Sequence, residues 1–224
     1  MNVLELFSGT GSVGKCCKEL GWDVVSVDME KKFNPTHLCN IMEFDYKQYP
    51  KNHFDIVWGS PPCTNYSQLK KCWFGRMLKD GTIYSKELNN KDMDESDKIV
   101  LKTFEIIDYF NCEYWFVENP LSSLKDREIM KDKFYHIVDY CMYSDWGYKK
   151  RTCIWTNKID WEAKQCDGKG TCGNMIINQA KHKSSADGGY DKRKKKQEGQ
   201  IHSGKTREER YRVPPDLIYS LFLD

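Results

Sequence analysis

Apolar residues in this chain form short runs that alternate with longer amphipathic segments. The runs of strand length are Val3–Phe7, Trp22–Val27, Phe54–Trp58, Tyr114–Val117 and Cys153–Trp155. The segments with helical spacing or helix boundaries are Val13–Leu20, Asp94–Asn111 and Leu121–Met130. Short apolar strands that alternate with helices predict a parallel sheet in an α/β domain.

Two segments interrupt this alternation. Residues 68–95 are polar and lack a clear period, which predicts a mobile insert. Residues 160–210 are rich in Gly, Lys, Asn and Ser, which indicates an irregular stretch or a small lobe. We therefore divide the chain into a main domain (1–157), a short basic lobe (158–210) and a closing C-terminal helix (211–224).

Composition favours a soluble intracellular protein. The chain has 224 residues, 30% of them charged, and its mean hydropathy is -0.74. No apolar run approaches the length of a membrane span, and no basic leader precedes the first strand. The ten cysteines include no CxxC pair, so we expect thiols rather than a disulfide framework.

The net charge of +2 conceals a basic segment. Residues 181–212 carry eleven Lys or Arg against five Asp or Glu, and Lys192–Lys196 are consecutive basic residues. Such a run suits a phosphate backbone, although a solvated loop would have the same composition.

A glycine-rich turn follows the first predicted strand. Gly9, Gly11 and Gly14 form a GxGxxG pattern at the start of a helix, and Asp28 ends the second strand. Glycines let a ligand approach the backbone, and an acidic residue in this place binds ribose hydroxyls. This combination predicts a nucleoside cofactor, either a dinucleotide or S-adenosylmethionine.

Two further motifs also follow buried strands. Cys63 comes after Pro61 and Pro62, which stiffen the turn, so it is either a rigidly held nucleophile or a buried structural cysteine. Glu118 is costly to bury without a partner, so it is either a catalytic acid or a cap of the next helix. If the two strands are neighbours, both side chains face one pocket.

Together, the motifs resemble the cytosine-5 DNA methyltransferases, and most closely their small viral and phage members. Phe7-Ser8-Gly9-Thr10-Gly11 is similar to the family's cofactor loop, Pro61-Pro62-Cys63 to its catalytic Pro-Cys, and Glu118-Asn119-Pro120 to its Glu-Asn motif. Lys149-Lys150-Arg151 resembles its basic motif. The resemblance covers residues 1–157 and implies a Rossmann-like, S-adenosylmethionine-dependent methyltransferase fold, with a mostly parallel central sheet and helices on both faces.

The resemblance also implies roles for individual residues. Cys63 would add to carbon 6 of a flipped-out cytosine, Glu118 would hold ring nitrogen 3 and the exocyclic amine, and Arg151 would orient the base or a phosphate. A segment after Cys63, residues 66–95, would close over the base. The implied S-adenosylmethionine contacts are Phe7, Gly9, Thr10, Gly11, Asp28, Met29, Asn40, Ile41 and Pro61.

The sequence departs from the family pattern in three places. Asn40 replaces a usual acidic residue, and Thr152 and Cys153 follow Arg151 where a second arginine often stands. The C-terminal Gly-Asn motif is missing. The short region between the basic motif and the C-terminus predicts a brief recognition sequence.

Cys166, Cys172, His182 and His202 could hold a metal, but the cysteines are widely spaced and the fourth ligand is a guess. We therefore expect no metal site and a basic lobe that touches DNA. The expected partner is double-stranded DNA, with RNA as an alternative; we expect no membrane and a monomer.

Two rival functions stay open at this point. An NAD-dependent oxidoreductase would account for the glycine pattern and Asp28 but not for Cys63 or Glu118. A catalytically inactive nucleic-acid-binding scaffold would account for the missing second arginine and the short lobe.

Overall fold

The computed structural model describes residues 1–177, 180–184 and 206–224. Its strands are β1 (Asn2–Leu6), β2 (Asp23–Asp28), β3 (His37–Leu38), β4 (Ile56–Gly59), β5 (Tyr114–Pro120), β6 (Tyr135–Asp139) and β7 (Arg151–Thr156). Its α-helices are α1 (Ser12–Glu19), α2 (Lys86–Phe110), α3 (Arg207–Tyr211) and α4 (Pro215–Leu223).

The seven strands form one sheet in the order β3-β2-β1-β4-β5-β7-β6. The first five strands are parallel, and β7 runs antiparallel to both of its neighbours, β5 and β6. After β1 the chain builds one side of the sheet, and from β4 it builds the other. A crevice therefore opens at the carboxyl edge between β1 and β4, where ligands bind in sheets of this kind.

Helices cover both faces of the sheet because successive strand residues point to opposite sides. One buried cluster joins the sheet to α2 and includes Leu4, Leu6, Val57, Val117, Val100, Phe104 and Phe110. A second cluster joins it to α1 and α4 and includes Val3, Ile56, Trp58, Phe116, Cys17, Leu217 and Leu221. This arrangement agrees with the predicted α/β class.

The predicted insert at 68–95 is wrong in its second part, because α2 begins at Lys86 rather than at Asp94. Ser85 caps the helix by accepting a hydrogen bond from Leu88 N at 3.2 Å. The added turns contact the segment after β4, since Asn65 Nδ2 donates to the Asp92 carbonyl oxygen at 3.1 Å. Their polar sequence hid the helix because they bury few apolar residues.

Residues 121–130 are also not the predicted helix. They form two short 3-10 helices, Ser123–Asp126 and Glu128–Met130. The strand before them is longer than predicted: β5 runs on through Asn119 and Pro120 because β7 pairs with it there. Leu121 N then donates to the Arg151 carbonyl oxygen at 2.9 Å. This pairing holds the backbone extended where a helix would have to begin.

The described part of the lobe after β7 has little regular structure. Its pairing is an isolated bridge between Met175 and His182. The basic run Lys192–Lys196 lies outside the described residues. Across the described ranges, every helix is too short or too polar to cross a bilayer.

Candidate active site

The glycine turn joins β1 to α1 through backbone conformations with positive φ. Gly11, the residue before α1, has φ +68° and is the left-handed cap from which the helix starts. Phe7 also has positive φ, at +59°, which is unusual for a residue with a side chain. Ser8 N donates to the Val27 carbonyl oxygen at 3.1 Å, which holds the turn against the end of β2.

Asp28 organises the loops around this turn. Its Oδ2 accepts a hydrogen bond from Gly9 N at 2.8 Å, and its Oδ1 accepts one from Glu30 N at 2.7 Å. Asp28 thus anchors both loops that border the cleft.

Asn40 Oδ1 accepts a hydrogen bond from Met42 N at 3.0 Å, so this oxygen already has a partner within its own turn.

The cleft widens into one cavity of about 730 Å³, which we call the carboxyl-edge cavity. Of the expected cofactor contacts, seven line it: Phe7, Gly9, Asp28, Met29, Asn40, Ile41 and Pro61. Thr10 and Gly11 do not. Thr10 Oγ1 lies 3.2 Å from Ser12 Oγ, on the side of a smaller neighbouring cavity, and Gly11 serves as the helix cap.

Cys63 lies at the end of the rigid turn after β4. Asn119 Nδ2 donates to the Pro61 carbonyl oxygen at 2.9 Å, which joins this turn to β5. A 3-10 helix, Thr64–Tyr66, starts directly after Cys63. Tyr66 is buried and donates from its hydroxyl to Asp97 Oδ1 on α2 at 2.8 Å. The half-buried thiol is therefore fixed from both sides.

Glu118 lies on β5 and is 5% exposed. Its Oε1 accepts a hydrogen bond from the buried Tyr140 hydroxyl at 2.9 Å and lies 3.5 Å from Lys150 Nζ. Burial raises the pKa of Tyr140 well above its usual value, and the neighbouring Glu118 carboxylate raises it further. The carboxyl thus has the partners that its burial demands.

The structure brings Cys63 and Glu118 to the same cavity. β4 and β5 are parallel neighbours with Gly59 opposite Val117, so the residues that follow both strands meet at one edge. Both side chains line the carboxyl-edge cavity. Burial raises the pKa of the Cys63 thiol, whereas the Lys150 ammonium lowers it and the Glu118 carboxylate raises it. These electrostatic effects link all three groups in one cleft.

Arg151 is not brought to this site. Its guanidinium binds the buried Asp139 in a bidentate pair, with Nε 2.9 Å from Oδ1 and an Nη 2.8 Å from Oδ2. Arg151 is not among the residues that line the cavity, whereas its neighbour Lys150 is. Adjacent residues of an extended segment point to opposite sides, so only one of the two can face the cleft.

Sequence reasoning missed Glu5, a carboxyl beneath the glycine turn. Its two oxygens accept hydrogen bonds from Val13 N at 3.2 Å and Gly14 N at 3.0 Å, in the first turn of α1. Burial raises its pKa from 4.5 to about 7, although the backbone donors act against this shift. Glu118 was predicted to be functional because burying a carboxylate is costly. The same argument, applied to the apolar first strand, would have identified Glu5.

The C-terminal segment supplies the remaining unpredicted residues. Arg210, Tyr211 and Val213 line the carboxyl-edge cavity. Val213 N donates to Ser12 Oγ at 3.1 Å, which ties this segment to the start of α1. No motif in the sequence connects residues so far apart, so only the fold reveals that both chain ends build the cleft.

Comparison with known proteins places this geometry in context. No protein-family model matches the chain. It is 36% identical to the "Probable DNA (cytosine-5)-methyltransferase" of Frog virus 3 (isolate Goorha), across 99% of this chain and 98% of that protein. It is 24% identical to a "Putative type II methyltransferase" of Methanocaldococcus jannaschii, across 75% and 58%. A crystal structure titled "putative DNA modification methyltransferase encoded within prophage", from E. coli, has a TM-score of 0.44 at 14% identity and covers 70% of this chain and 46% of that one.

The fold and the site together define a Rossmann-like methyltransferase in which a thiol and a carboxyl face the cofactor-side cleft. The viral relative matches almost end to end at an identity that establishes common descent. The chain therefore belongs to the DNA (cytosine-5)-methyltransferase family and is an enzyme of that class. This confirms the resemblance carried by the three motifs.

Proposed function

We propose that this enzyme transfers a methyl group from S-adenosylmethionine to carbon 5 of cytosine in double-stranded DNA, through a covalent bond from Cys63 to a flipped-out base. The single observation that carries the proposal is that Cys63 and Glu118 line one cavity with the glycine turn. A nucleophile, an acid and a cofactor cleft are the groups that this reaction needs.

The residues present fit the cofactor. Asp28 lies at the carboxyl end of β2, where a ribose hydroxyl would replace solvent, and Phe7, Met29 and Ile41 offer apolar surface to an adenine. Ser122 also lines the cavity, and its buried hydroxyl has no hydrogen-bond partner among the described residues, as a polar group beside an unfilled ligand site would. When bound, S-adenosylmethionine supplies an electrophilic methyl group.

Cys63 makes carbon 5 reactive. Its thiolate forms a bond to carbon 6 of the cytosine, and the electrons of the 5,6 double bond move to carbon 5. After methylation, loss of the carbon-5 proton restores the double bond and expels the thiolate. Burial raises the pKa of Cys63, and the Lys150 ammonium is the stronger of the two influences that lower it and so favour the reactive thiolate.

Glu118 makes the addition to carbon 6 feasible. In its protonated form it would give a proton to ring nitrogen 3 as the thiolate adds, which neutralises the adduct and leaves carbon 5 nucleophilic, and it would take that proton back when the thiolate leaves. Its other oxygen accepts from the exocyclic amine, which distinguishes cytosine from uracil or thymine. Tyr140 and Lys150 hold the carboxyl in this orientation.

The base must leave the duplex because the thiol lies within the cavity and cannot reach a stacked cytosine. Gln68 and Leu69, in the 3-10 helix Gln68–Trp73, line the cavity just after the Cys63 turn. They are placed to cover a base that has entered. This cover would be part of the predicted closing segment, residues 66–95.

A duplex that contains 5-fluorocytosine tests the proposal. Fluorine cannot be removed from carbon 5 as a proton is, so the Cys63 bond to carbon 6 would persist and could be seen on a denaturing gel. We expect an adduct that needs S-adenosylmethionine and is lost in Cys63→Ser. A protein that binds DNA and S-adenosylmethionine yet forms no adduct would favour the inactive scaffold.

Two further measurements test an RNA substrate and an oxidoreductase function. An adduct with fluorinated RNA but not with DNA would move the substrate class to RNA. Tighter binding of NAD than of S-adenosylmethionine would favour the oxidoreductase hypothesis. That hypothesis gives no role to the cavity that Cys63 and Glu118 share.

A further inference from the structure

Four metal-ligating side chains converge on the side of the sheet edge where β6 ends. They are Cys141, Cys166, Cys172 and His182. Their ligand atoms all lie within 4.8 Å of one another. The first two are buried and the other two are half-buried. We propose that these four side chains bind one structural zinc ion.

Two distances within the cluster match those between neighbouring ligands of a tetrahedral site. His182 Nε2 lies 3.6 Å from Cys166 Sγ and 3.5 Å from Cys172 Sγ. Zinc binds sulfur at about 2.3 Å and nitrogen at about 2.0 Å, so neighbouring sulfur and nitrogen ligands of a tetrahedron lie about 3.6 Å apart. Three thiolates and one imidazole form a donor set typical of structural zinc.

The backbone around the cluster is already arranged to present these ligands. Asn174 is 3% exposed, and its Nδ2 donates to the carbonyl oxygens of Cys141 at 2.8 Å and Cys172 at 3.0 Å. The bridge between Met175 and His182, with Ile176 N donating to the Lys181 carbonyl oxygen at 2.9 Å, turns the chain back so that His182 faces the cysteines. One amide thus ties together two of the ligand-bearing segments.

The described part of the lobe around the cluster has a small apolar core. Among the described residues from 162 to 184, Cys166, Asn174 and Ile176 are the ones that are buried. A bound metal ion would add stability that so small an apolar core does not supply. All ten cysteines have free thiols in the structure, and three clustered thiols with a histidine match a metal site better than a pairwise disulfide.

Basic residues near the cluster would offset the net negative charge of the zinc ion and its ligands. Zinc with three thiolates and a neutral imidazole carries a net charge of about −1. Lys149 Nζ donates to the Cys166 carbonyl oxygen at 3.1 Å, and Arg151 lies nearby in its pair with Asp139. Asp139 Oδ2 in turn accepts from Cys166 N at 2.8 Å. Outer contacts of this kind orient ligands in metal sites.

These contacts connect the zinc cluster to the active site. Lys149 and Arg151, which flank Lys150, both bind Asp139, and Asp139 holds the backbone of Cys166. The cluster therefore fixes the segment whose middle residue reaches Glu118. This assigns Arg151 a structural role on the zinc side of β7 in place of a contact with the base.

Metal analysis of the full-length protein tests the inference without any activity assay. The protein would be expressed with zinc in the medium, purified without chelators or a histidine tag, and measured by mass spectrometry of its metals. We expect one zinc ion per chain, and X-ray absorption with three sulfur neighbours and one nitrogen neighbour. Protein without zinc, or with iron or copper in that amount, would overturn the assignment.

Variants locate the ion. Cys172→Ser combined with His182→Ala removes two half-buried ligands, and we expect it to lose bound zinc. Cys72→Ser changes an exposed cysteine outside the cluster and should keep the full amount. A full equivalent of zinc in the double variant would overturn the site. If the double variant does not fold, the absorption spectrum of the wild-type protein decides alone.

Discussion

Lys150 Nζ lies 3.5 Å from Glu118 Oε1, and both groups line the cavity that contains Cys63. The Lys150 ammonium thus lies beside the Glu118 carboxyl group, and it lowers the pKa of the Cys63 thiol. Arg151 is bound to Asp139, and Lys150 is the residue of the basic motif that lines this cavity. Lys150 therefore supplies a positive charge beside Glu118 and Cys63.

The first prediction concerns the charge of Lys150. Lys150→Met removes the ammonium that lowers the pKa of Cys63, so that pKa should rise and fewer thiolates should be present at neutral pH. We expect alkylation of Cys63 by iodoacetamide to slow at neutral pH and its pH profile to shift upward. Lys150→Arg keeps the charge and is the control. An unshifted profile in Lys150→Met would contradict this role.

The second prediction concerns Glu118. Glu118→Gln still accepts from the Tyr140 hydroxyl, but it has no proton to give to ring nitrogen 3. We expect methyl transfer to fall by about 10²- to 10⁴-fold, as for other acid–base residues, while the melting temperature and S-adenosylmethionine binding change little. Single-turnover rates and calorimetry measure these effects. Wild-type turnover in the variant would exclude proton donation by Glu118.

The third prediction concerns the loops that Asp28 holds. Asp28→Ala removes the acceptor of both Gly9 N and Glu30 N, so the borders of the cofactor cleft lose their order. We expect S-adenosylmethionine affinity to fall by about tenfold or more, since each hydrogen bond to a charged group is worth roughly 1.5–3 kcal/mol. Isothermal titration calorimetry measures it. Asp23→Ala, at the exposed start of the same strand, should bind like the wild type, and equal binding by both variants would refute the assignment.

The fourth prediction is a pH dependence that comes from Glu5. Its pKa rises from 4.5 in the unfolded chain to about 7 in the folded protein, so the folded state binds the proton more tightly. The resulting stability is complete below pH 4.5 and is lost as the pH rises through 7. Glu5→Gln does not titrate. The free energy of unfolding of the wild type, relative to Glu5→Gln, should therefore fall by about 3 kcal/mol over this interval.

Denaturant unfolding at several pH values measures this difference. Glu162→Gln, which changes an exposed carboxyl, is the control and should follow the wild type at every pH. Parallel curves for the wild type and Glu5→Gln would show that the buried carboxyl does not titrate differently in the folded state.

The sequence predicted the class of fold because most of its strands can be recognised from their own apolar residues and the turns that follow them. Runs such as Phe54–Trp58 are apolar and end in turn residues, so they identify buried parallel strands without knowledge of their partners. β6, Tyr135–Asp139, was missed because it has few strongly apolar residues and is defined by its pairing with β7. The exposed β3 was missed for a similar reason.

The candidate site could be predicted only as far as strand ends determine it. Cys63 comes shortly after β4 and Glu118 lies near the end of the neighbouring β5, and the structure brings them to one cavity. Arg151 is kept out of that cavity because Asp139 of β6 lies opposite it on β7, which leaves Lys150 to line the cavity. The residues around Lys150 and Arg151 in the sequence do not predict this long-range pairing. Cys141 was not grouped with the other candidate metal ligands because 24 residues separate it from Cys166. The chemical roles of these residues stay predictions.

The most direct test of the account is the nucleoside content of DNA exposed to the enzyme. Plasmid DNA from a host that lacks cytosine methylation would be recovered after expression of the wild type or of Cys63→Ser, digested and measured by mass spectrometry. We predict 5-methyldeoxycytidine with the wild type and none with Cys63→Ser. Its absence with folded wild-type enzyme, or its persistence with Cys63→Ser, would contradict the central claim that the Cys63 thiol drives methylation of cytosine.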